Sequence, residues 1–147
     1  MVWGCFSHSG VGLLYRVKGI MDRFQYRDIL EKVMLPHAKR ELPSDWIFQH
    51  DNDPKHTARV VKDWLGKEEV QTLQWPPQSP DLNPIENLWN EVKRLLHNQR
   101  YHSALELEKA VKHIWTSFTD VFLNALIDSM PRRCHAVIEA KGYATKY

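Results

Sequence analysis

Two carboxylates in this chain of 147 residues stand where they could share a reaction. Asp51 lies just past a short apolar run at residues 46–49, and Glu86 lies at the start of a predicted helix, with 34 residues between the two. Carboxylate oxygens are hard ligands of the kind that Mg²⁺ prefers. Two such ions can activate a water or hydroxyl on one side of a phosphodiester and stabilise the leaving oxygen on the other. These residue types therefore suit phosphoryl chemistry.

Both carboxylates also have purely structural interpretations. Residues 83–86 (NPIE) form a capping box, in which the asparagine would cap a helix and the glutamate would reach back to it. Asp51 could form a turn, and Asp53 could cap a helix entered through Pro54. The spacing alone leaves the catalytic and the structural alternatives open.

Other metal sites match the sequence less well. A calcium loop could begin at Asp51, but its sixth and twelfth positions, which require Gly and Glu, hold His56 and Lys62. A zinc site at His50 and His56 together with Asp53 lacks the H-E-x-x-H pattern of zinc proteases. We therefore reject the calcium loop and regard the histidines as ordinary polar residues.

The elements around Asp51 predict a strand, a helix and a second strand. Residues 46–49 (WIFQ) are apolar enough for a buried strand, and residues 70–75 form the second strand. The helix between them should end at Gly66, and its inward face carries Val60, Val61, Trp64 and Leu65. This order predicts a parallel pair with a right-handed crossover, whose ligand site lies at the carboxyl ends of the strands. Asp51 follows one such end.

A hairpin and several helices complete the predicted α/β chain. Residues 2–6 and 12–17 should pair as antiparallel strands, and a capping box at Asp22 opens a helix that Pro36 ends or kinks. A further helix is expected at residues 85–96, and another begins at a capping box at Ser103. The last helical region runs from residue 120 to about residue 141. It is interrupted at Pro131 and capped by Gly142. In the helix at residues 85–96, Glu86 shares a polar face with Asn90 and Lys93.

Composition limits the class of protein. The chain has 20 Lys and Arg residues and 18 Asp and Glu residues. The resulting net charge of +2 does not by itself indicate a nucleic-acid partner. The longest uncharged stretch, residues 1–15, is too short and too polar to span a membrane or direct secretion, so we expect an intracellular protein without a membrane partner. Cys5 and Cys134 do not form a C-x-x-C pair, and we expect free thiols.

Two longer motifs carry a resemblance to a known family. Residues 49–58 have the sequence QHDNDPKHTA, and residues 75–89 have the sequence WPPQSPDLNPIENLW. Together with VWGCF at residues 2–6 and AKGYATKY at residues 140–147, they make essentially the whole chain resemble the catalytic domain of Tc1/mariner-type DDE transposases.

The resemblance implies an RNase H-like mixed sheet with flanking helices and a C-terminal helical tail. In the family, two Asp residues and one Glu bind two Mg²⁺ or Mn²⁺ ions, and the Tc1 branch typically keeps the 34-residue spacing found here. By position, Asp51 resembles the second ligand of the family and Glu86 the third. The first Asp of the family lies on a central strand before the VWGCF segment, at which this chain begins. We therefore expect residues 1–147 to form one incomplete catalytic domain without the first strand, the first ligand or the N-terminal helix-turn-helix domains.

The resemblance also implies partners and an activity. The family cleaves DNA at transposon ends and joins the freed end to a TA target, which implies a nuclear DNA-binding protein, a possible homo-oligomer and no small-molecule substrate. Lys55, His56 and Lys93 are candidate contacts to the DNA backbone, with Arg132 and Arg133 as further candidates, although all could be solvated surface residues. Without its first ligand and strand, we expect this chain to be marginally stable and inactive as it stands. The alternative function is a catalytically dead remnant that binds DNA or protein.

Overall fold

The chain folds into two compact units, each built from separate stretches of sequence. The computed structural model describes residues 1–77, 79–97 and 99–147, so Gln78 of the second motif lies outside the described residues. The first unit comprises Met1–Gly4 and Tyr15–Gln78, and the second comprises Cys5–Leu14 and Ser79–Tyr147.

The first unit joins a short antiparallel ladder to a set of helices. Strand β1 (Val2–Trp3) pairs with β4 (Tyr15–Arg16), in the register Val2 to Arg16 and Trp3 to Tyr15. The helices of this unit are α1 (Arg23–Ile29), α2 (Leu35–Glu41) and α3 (Arg59–Lys67). Their apolar faces meet in a buried core formed by Tyr26, Leu30, Met34, Leu35, Ala38, Phe48, Val61, Trp64 and Leu65.

The predicted parallel pairing near Asp51 is confirmed, but it is very short. The Phe48 N–H donates to the Gln71 carbonyl at 2.8 Å, and the Leu73 N–H donates to the Phe48 carbonyl at 2.9 Å. These two bonds make one parallel bridge between Phe48 and Thr72 rather than two full strands. The run at residues 46–49, predicted as a buried strand, is buried only in part, since Phe48 is buried and Ile47 is 51% exposed. Successive side chains of an extended chain point to opposite faces, and here only the face of Phe48 is covered.

Pro36 does not end the first long helix. A π-helical turn (Leu30–Met34) lies between α1 and α2, and the Leu35 N–H donates to the Leu30 carbonyl. A proline ring clashes with the carbonyl four residues earlier and offers no N–H to it. The wider turn absorbs that clash, so the helical path continues to the end of α2.

The end of α3 also differs from the prediction. Gly66 lies inside the helix, and the left-handed residue that turns the chain is Glu69, with φ of 54°. The Val70 N–H then donates to the Leu65 carbonyl at 2.9 Å and closes the end of the helix. The inward face is as predicted, with Val61, Trp64 and Leu65 buried.

The second unit packs four helices with a second short hairpin ladder. Strand β2 (Phe6–Ser7) pairs antiparallel with β3 (Gly10–Val11). The pairing of β1 with β4 confirms the predicted antiparallel strands, whereas the β2–β3 ladder lies mostly in residues 7–11, which were expected to form the loop between them. The helices are α4 (Pro84–Leu96), α5 (Ala104–Ser117), α6 (Asp120–Ile127) and α7 (Met130–Glu139). These bounds confirm the predicted helices, the interruption near Pro131 and the left-handed Gly142, whose φ is 83°.

Trp115 is the centre of the second core. Its indole N–H donates to the Gly12 carbonyl at 2.8 Å, and its ring stacks on Trp89 with centroids 4.9 Å apart. The other buried members of this cluster are Leu88, Val92, Val111 and Leu123. The aromatic side chain thus ties the hairpin segment to the helices that carry Glu86 and its neighbours.

Two predictions from composition can be compared with the structure. Cys5 and Cys134 are both free thiols, as predicted. Within the described ranges, no helix is both long enough and apolar enough to cross a membrane.

Candidate functional site

Asp51 lies directly after the bridge at Phe48, in a loop that its own carboxylate helps to fold. Asp51 Oδ1 accepts the Asp53 N–H at 3.1 Å and lies 2.6 Å from His56 Nδ1. The side chain is 45% exposed, and within the described residues no hydrogen bond reaches its Oδ2. The turn role that the sequence suggested for Asp51 therefore coexists with an oxygen that can still bind a ligand.

His56 orients Asp51 from a buried position. Its ring stacks on Tyr26 with centroids 4.0 Å apart, and only 15% of its side chain is exposed. Burial lowers the pKa of His56 more than the nearby Asp51 raises it, so the imidazole is neutral at neutral pH. Because a carboxylate can only accept, the single ring proton sits on Nδ1 and is donated to Asp51. The interaction is a neutral hydrogen bond rather than an ion pair.

This geometry does not support His56 as a phosphate contact. Its Nδ1 faces Asp51, and its Nε2 is buried with no hydrogen-bond partner within the described residues. His50 lies beside it, with Nδ1 3.0 Å from the Tyr26 hydroxyl. Burial and the neighbouring His56 lower the pKa of His50 to about 4. Two neutral imidazoles therefore line the inner side of the Asp51 loop.

Asp53 and Lys55 close the same loop. Asp53 Oδ1 accepts the Lys55 N–H at 3.0 Å, and the other oxygen pairs with the Lys55 ammonium. Burial acts to raise the pKa of Asp53, but the hydrogen bonds and charge of Lys55 outweigh it and hold that pKa below its usual range. The idea that Asp53 caps a helix was wrong, since α3 begins at Arg59 with Ala58 as its cap. A tight turn, in which the Asp53 carbonyl accepts two N–H groups, already occupies this position.

Asn52 is a positioning residue to which the sequence assigned no role. Its Nδ2 donates to the Trp75 carbonyl at 2.7 Å and so ties the Asp51 loop to the segment after the parallel bridge. The two residues are 23 positions apart in the chain. The motif QHDNDPKHTA contains Asn52, but only the folded chain identifies its acceptor.

Glu86 lies in the first turn of α4, and its carboxylate has no partner among the described residues. The predicted capping box is wrong: the Asn83 side chain makes no cap, and the Asn83 N–H donates to the Pro80 carbonyl at 2.8 Å. A 3-10 turn (Pro80–Leu82) therefore already uses the N–H that Glu86 was expected to bind. Glu86 is exposed, and no side-chain hydrogen bond or ion pair reaches it within the described part of the chain.

The two predicted lysines differ in availability. Lys93 is exposed on α4, on the polar face that also carries Glu86 and Asn90. Lys55 is 24% exposed and is held by Asp53. Lys93 is therefore the more accessible cation of the two.

The two arginines of α7 separate in the same way. Arg132 is exposed, whereas Arg133 is 2% exposed, and all three of its nitrogens donate to acceptors within the protein. The prediction of Arg133 as a phosphate contact was wrong, because its guanidinium is not available to DNA.

The carboxylate oxygens of Asp51 and Glu86 are of the type that binds a hard divalent cation. Asp51 and Glu86 each present at least one carboxylate oxygen without an intramolecular hydrogen bond among the described residues. Oxygen donors of this type are those that Mg²⁺ and Mn²⁺ prefer. Asp51, Lys55 and His56 belong to the first unit, and Glu86 and Lys93 to the second. Within residues 1–77, 79–97 and 99–147, no three His, Cys, Asp or Glu side chains cluster as a metal site would require.

Comparison with known sequences identifies a family and several relatives. The model of the family described as DDE superfamily endonuclease matches residues 1–108. The Tcb1 transposase of Caenorhabditis briggsae is 50% identical over all 147 residues, and the Tc1 transposase of Caenorhabditis elegans is 49% identical over the same length. The chain spans 54% of the length of each of these relatives.

Comparison with solved structures gives the fold. The Mos1 transposase catalytic domain, determined with raltegravir and Mg, matches with a TM-score of 0.88 and 27% identity, over 99% of this chain and 75% of that chain. The Mos1 strand transfer complex matches with a TM-score of 0.85 and 27% identity, over 99% of this chain and 43% of that chain. The predicted RNase H-like mixed α/β fold is therefore confirmed. The chain belongs to the DDE superfamily endonucleases and is of the Tc1/mariner transposase type.

Proposed function

We propose that this chain is the catalytic part of a transposase that cuts and joins DNA with the help of divalent metal ions. The observation that carries the proposal is the state of the two motif carboxylates. Asp51 is oriented by His56 yet keeps one oxygen free, and Glu86 is free of the capping bond that its sequence predicted. Near 50% identity to the Tcb1 and Tc1 transposases over the whole chain supports the same function.

In this function Asp51 and Glu86 each serve as a metal ligand, and the ion is Mg²⁺ or Mn²⁺. The bound ions would supply the Lewis-acid chemistry that activates an attacking oxygen and stabilises a leaving oxygen on phosphorus. His56 holds the Asp51 carboxylate through the proton on Nδ1. Asn52 and the Asp53 turn fix the loop on which Asp51 stands. A complete family site also needs the first Asp, which we expect on a strand before residues 2–6.

DNA is the proposed partner and substrate. Mos1 transposase has been determined in a strand transfer complex and in a paired-end complex with a left transposon end. By this similarity we propose that Lys93, and less directly Lys55, contacts phosphates near the two carboxylates. Recognition of transposon ends, a TA target, action as a homo-oligomer and a nuclear location belong to the same proposal.

A DNA-binding or protein-binding remnant without catalysis is the second candidate. The observation that favours it is that Lys93 and Arg132 are exposed, so they can contact a DNA backbone whether or not a metal ion is bound. Such a protein would bind DNA in a salt-sensitive manner, because phosphate contacts release counterions, but it would not cleave the strand.

Nicking of supercoiled plasmid DNA separates the two candidates. The assay uses the 147-residue chain, and the same chain extended before Met1 by the Asp-bearing central strand of the family, both with Mg²⁺ or Mn²⁺. We expect metal-dependent nicking by the extended chain and its loss in Asp51→Asn and in Glu86→Gln. Glu91→Gln is the matched control, because Glu91 lies on the same helix and pairs only with Arg94 among the described residues. Salt-sensitive binding without nicking by either chain supports the remnant instead.

A further inference from the structure

Arg133 is buried in the second unit, where its guanidinium donates hydrogen bonds to three residues. Its Nε donates to Ser129 Oγ at 2.6 Å, its Nη1 to the Asp81 carbonyl at 2.9 Å and its Nη2 to Asn87 Oδ1 at 2.9 Å. The Tyr147 ring covers it, with the guanidinium carbon 4.8 Å from the ring centroid. Removing a guanidinium from water is costly, so its full set of acceptors must compensate for that cost.

Two of these acceptors lie on either side of Glu86 in the sequence. Asp81 belongs to the 3-10 turn that leads into α4, and Asn87 directly follows Glu86 in the first turn of that helix. The Asn83 side chain does not cap the helix, so the start of α4 lacks the usual local restraint. Arg133 supplies a restraint from α7, a helix that begins more than 40 residues further along the chain.

The C-terminal segment also holds the 3-10 turn that precedes α4. Asp81 Oδ2 accepts the Thr145 N–H at 2.6 Å, and this bond holds the pKa of Asp81 below its usual range. Asp81 is therefore bound through its carbonyl by Arg133 and through its carboxylate by the backbone of Thr145. The turn that leads into α4 is thus held by α7 and by the C-terminal segment together.

The chemistry of the side chain at position 133 matters for this restraint. A guanidinium is a rigid planar fork with five N–H donors, so it can bind the hydroxyl, the carbonyl and the amide oxygen at once. A lysine ammonium could replace only part of this pattern, and an apolar side chain could replace none of it. The fork therefore fixes the orientation of the first turn of α4 as well as filling space.

We propose that Arg133 is a positioning residue for Glu86: it holds the first turn of α4 so that the Glu86 carboxylate is presented to a divalent cation. The inference rests on the proposed function, since it takes Glu86 as a metal ligand. It assigns no contact between Arg133 and the metal or the DNA. The role is exerted through Asn87 and Asp81.

The test measures Mn²⁺ affinity of the 147-residue chain by calorimetry or by electron paramagnetic resonance of free Mn²⁺. We expect Arg133→Met to weaken Mn²⁺ binding by about tenfold, the size of loss typical when a residue supporting a metal ligand is removed. Arg133→Lys should lose less. Arg132→Met is the matched control, because Arg132 is an exposed neighbour on the same helix, and its affinity should match that of the unmodified chain. Amide exchange of residues 80–92 should accelerate in Arg133→Met but not in Arg132→Met.

A double-mutant cycle separates positioning from general support of the fold. In a Glu86→Gln background, Arg133→Met should cause no further loss of Mn²⁺ affinity, because the carboxylate that it positions is gone. Equal affinities for Arg133→Met and Arg132→Met, with Glu86→Gln still weakened, overturn the inference but leave the proposed function standing. No loss in Glu86→Gln overturns the proposed function, and the inference falls with it. If Arg133→Met does not fold, Arg133→Lys decides, and an unchanged affinity in that variant overturns the inference.

Discussion

The two candidate metal ligands are held in different ways, although both are carboxylates in family motifs. Asp51 is fixed by a neutral hydrogen bond from a buried imidazole, whereas Glu86 is free at the start of a helix. The spacing of 34 residues and the surrounding motifs allowed both to be predicted. The role of His56 could not be predicted, because stacking on Tyr26 places its ring and Tyr26 lies 30 positions earlier.

We predict that a residue that keeps a hydrogen-bond donor to Asp51 can replace His56 in part. His56→Leu should weaken Mn²⁺ binding by about tenfold, since a carboxylate ligand loses the hydrogen bond that orients it. His56→Asn should retain more affinity, because an amide N–H can take the place of the Nδ1–H. The measurement is a Mn²⁺ titration of both variants against the unmodified chain. Equal affinities for His56→Leu and the unmodified chain would contradict the role assigned to His56.

Helix starts show how far local patterns determine an element. Three segments have the capping-box pattern, and the structure confirms a side-chain cap in two of them. Asp22 accepts the N–H groups of Phe24 and Gln25, and Ser103 accepts that of Glu106. The Asn83 side chain does not cap: the Glu86 N–H that it would bind donates to the Asn83 carbonyl at 3.1 Å, and the Asn83 N–H that Glu86 would bind donates to the Pro80 carbonyl. The pattern itself was readable in the sequence, but the conformation of the preceding turn was not.

The difference between these caps gives a matched pair of variants. Ser103→Ala should lower the free energy of unfolding by about 1 kcal/mol, because α5 loses a side-chain acceptor for the Glu106 N–H. Asn83→Ala should change it by less than about 0.5 kcal/mol, as is usual for a surface substitution that removes no such contact. Urea unfolding of the two variants measures both values. A loss in Asn83→Ala as large as that in Ser103→Ala would mean that residues 83–86 do act as a capping box and that Glu86 is not free.

Strands were harder to predict than helices. The apolar runs at residues 46–49 and 70–75 indicated a parallel pair, and the pairing is parallel, but only one bridge forms. A strand needs a partner along its whole length, and the sequence of one run does not say how far the partner follows it. The helical stripes needed no distant partner to be recognised, since their period lies within a single segment.

For the whole molecule, the family motifs predicted more than composition could. A net charge of +2 gave no sign of a DNA partner, whereas the two motifs indicated a DDE transposase, and the family model and the Mos1 fold confirm that relationship. The network around Arg133 could not be predicted, because two of its three acceptors lie 46 and 52 positions away and a pair of arginines on a helix is ordinary. The division into two units, each combining separate stretches of sequence, was likewise not visible in any local pattern.

The most direct test of the central claim is the anomalous scattering of Mn²⁺ in crystals of the protein soaked with that ion. We expect Mn²⁺ at carboxylate oxygens of Asp51 and at carboxylate oxygens of Glu86, with His56 still bonded to Asp51, and loss of the corresponding signal in crystals of Asp51→Asn and of Glu86→Gln. Glu91→Gln crystals, treated in the same way, should keep it. Mn²⁺ bound elsewhere on the protein, with none at either carboxylate, would contradict the assignment of these two residues as metal ligands.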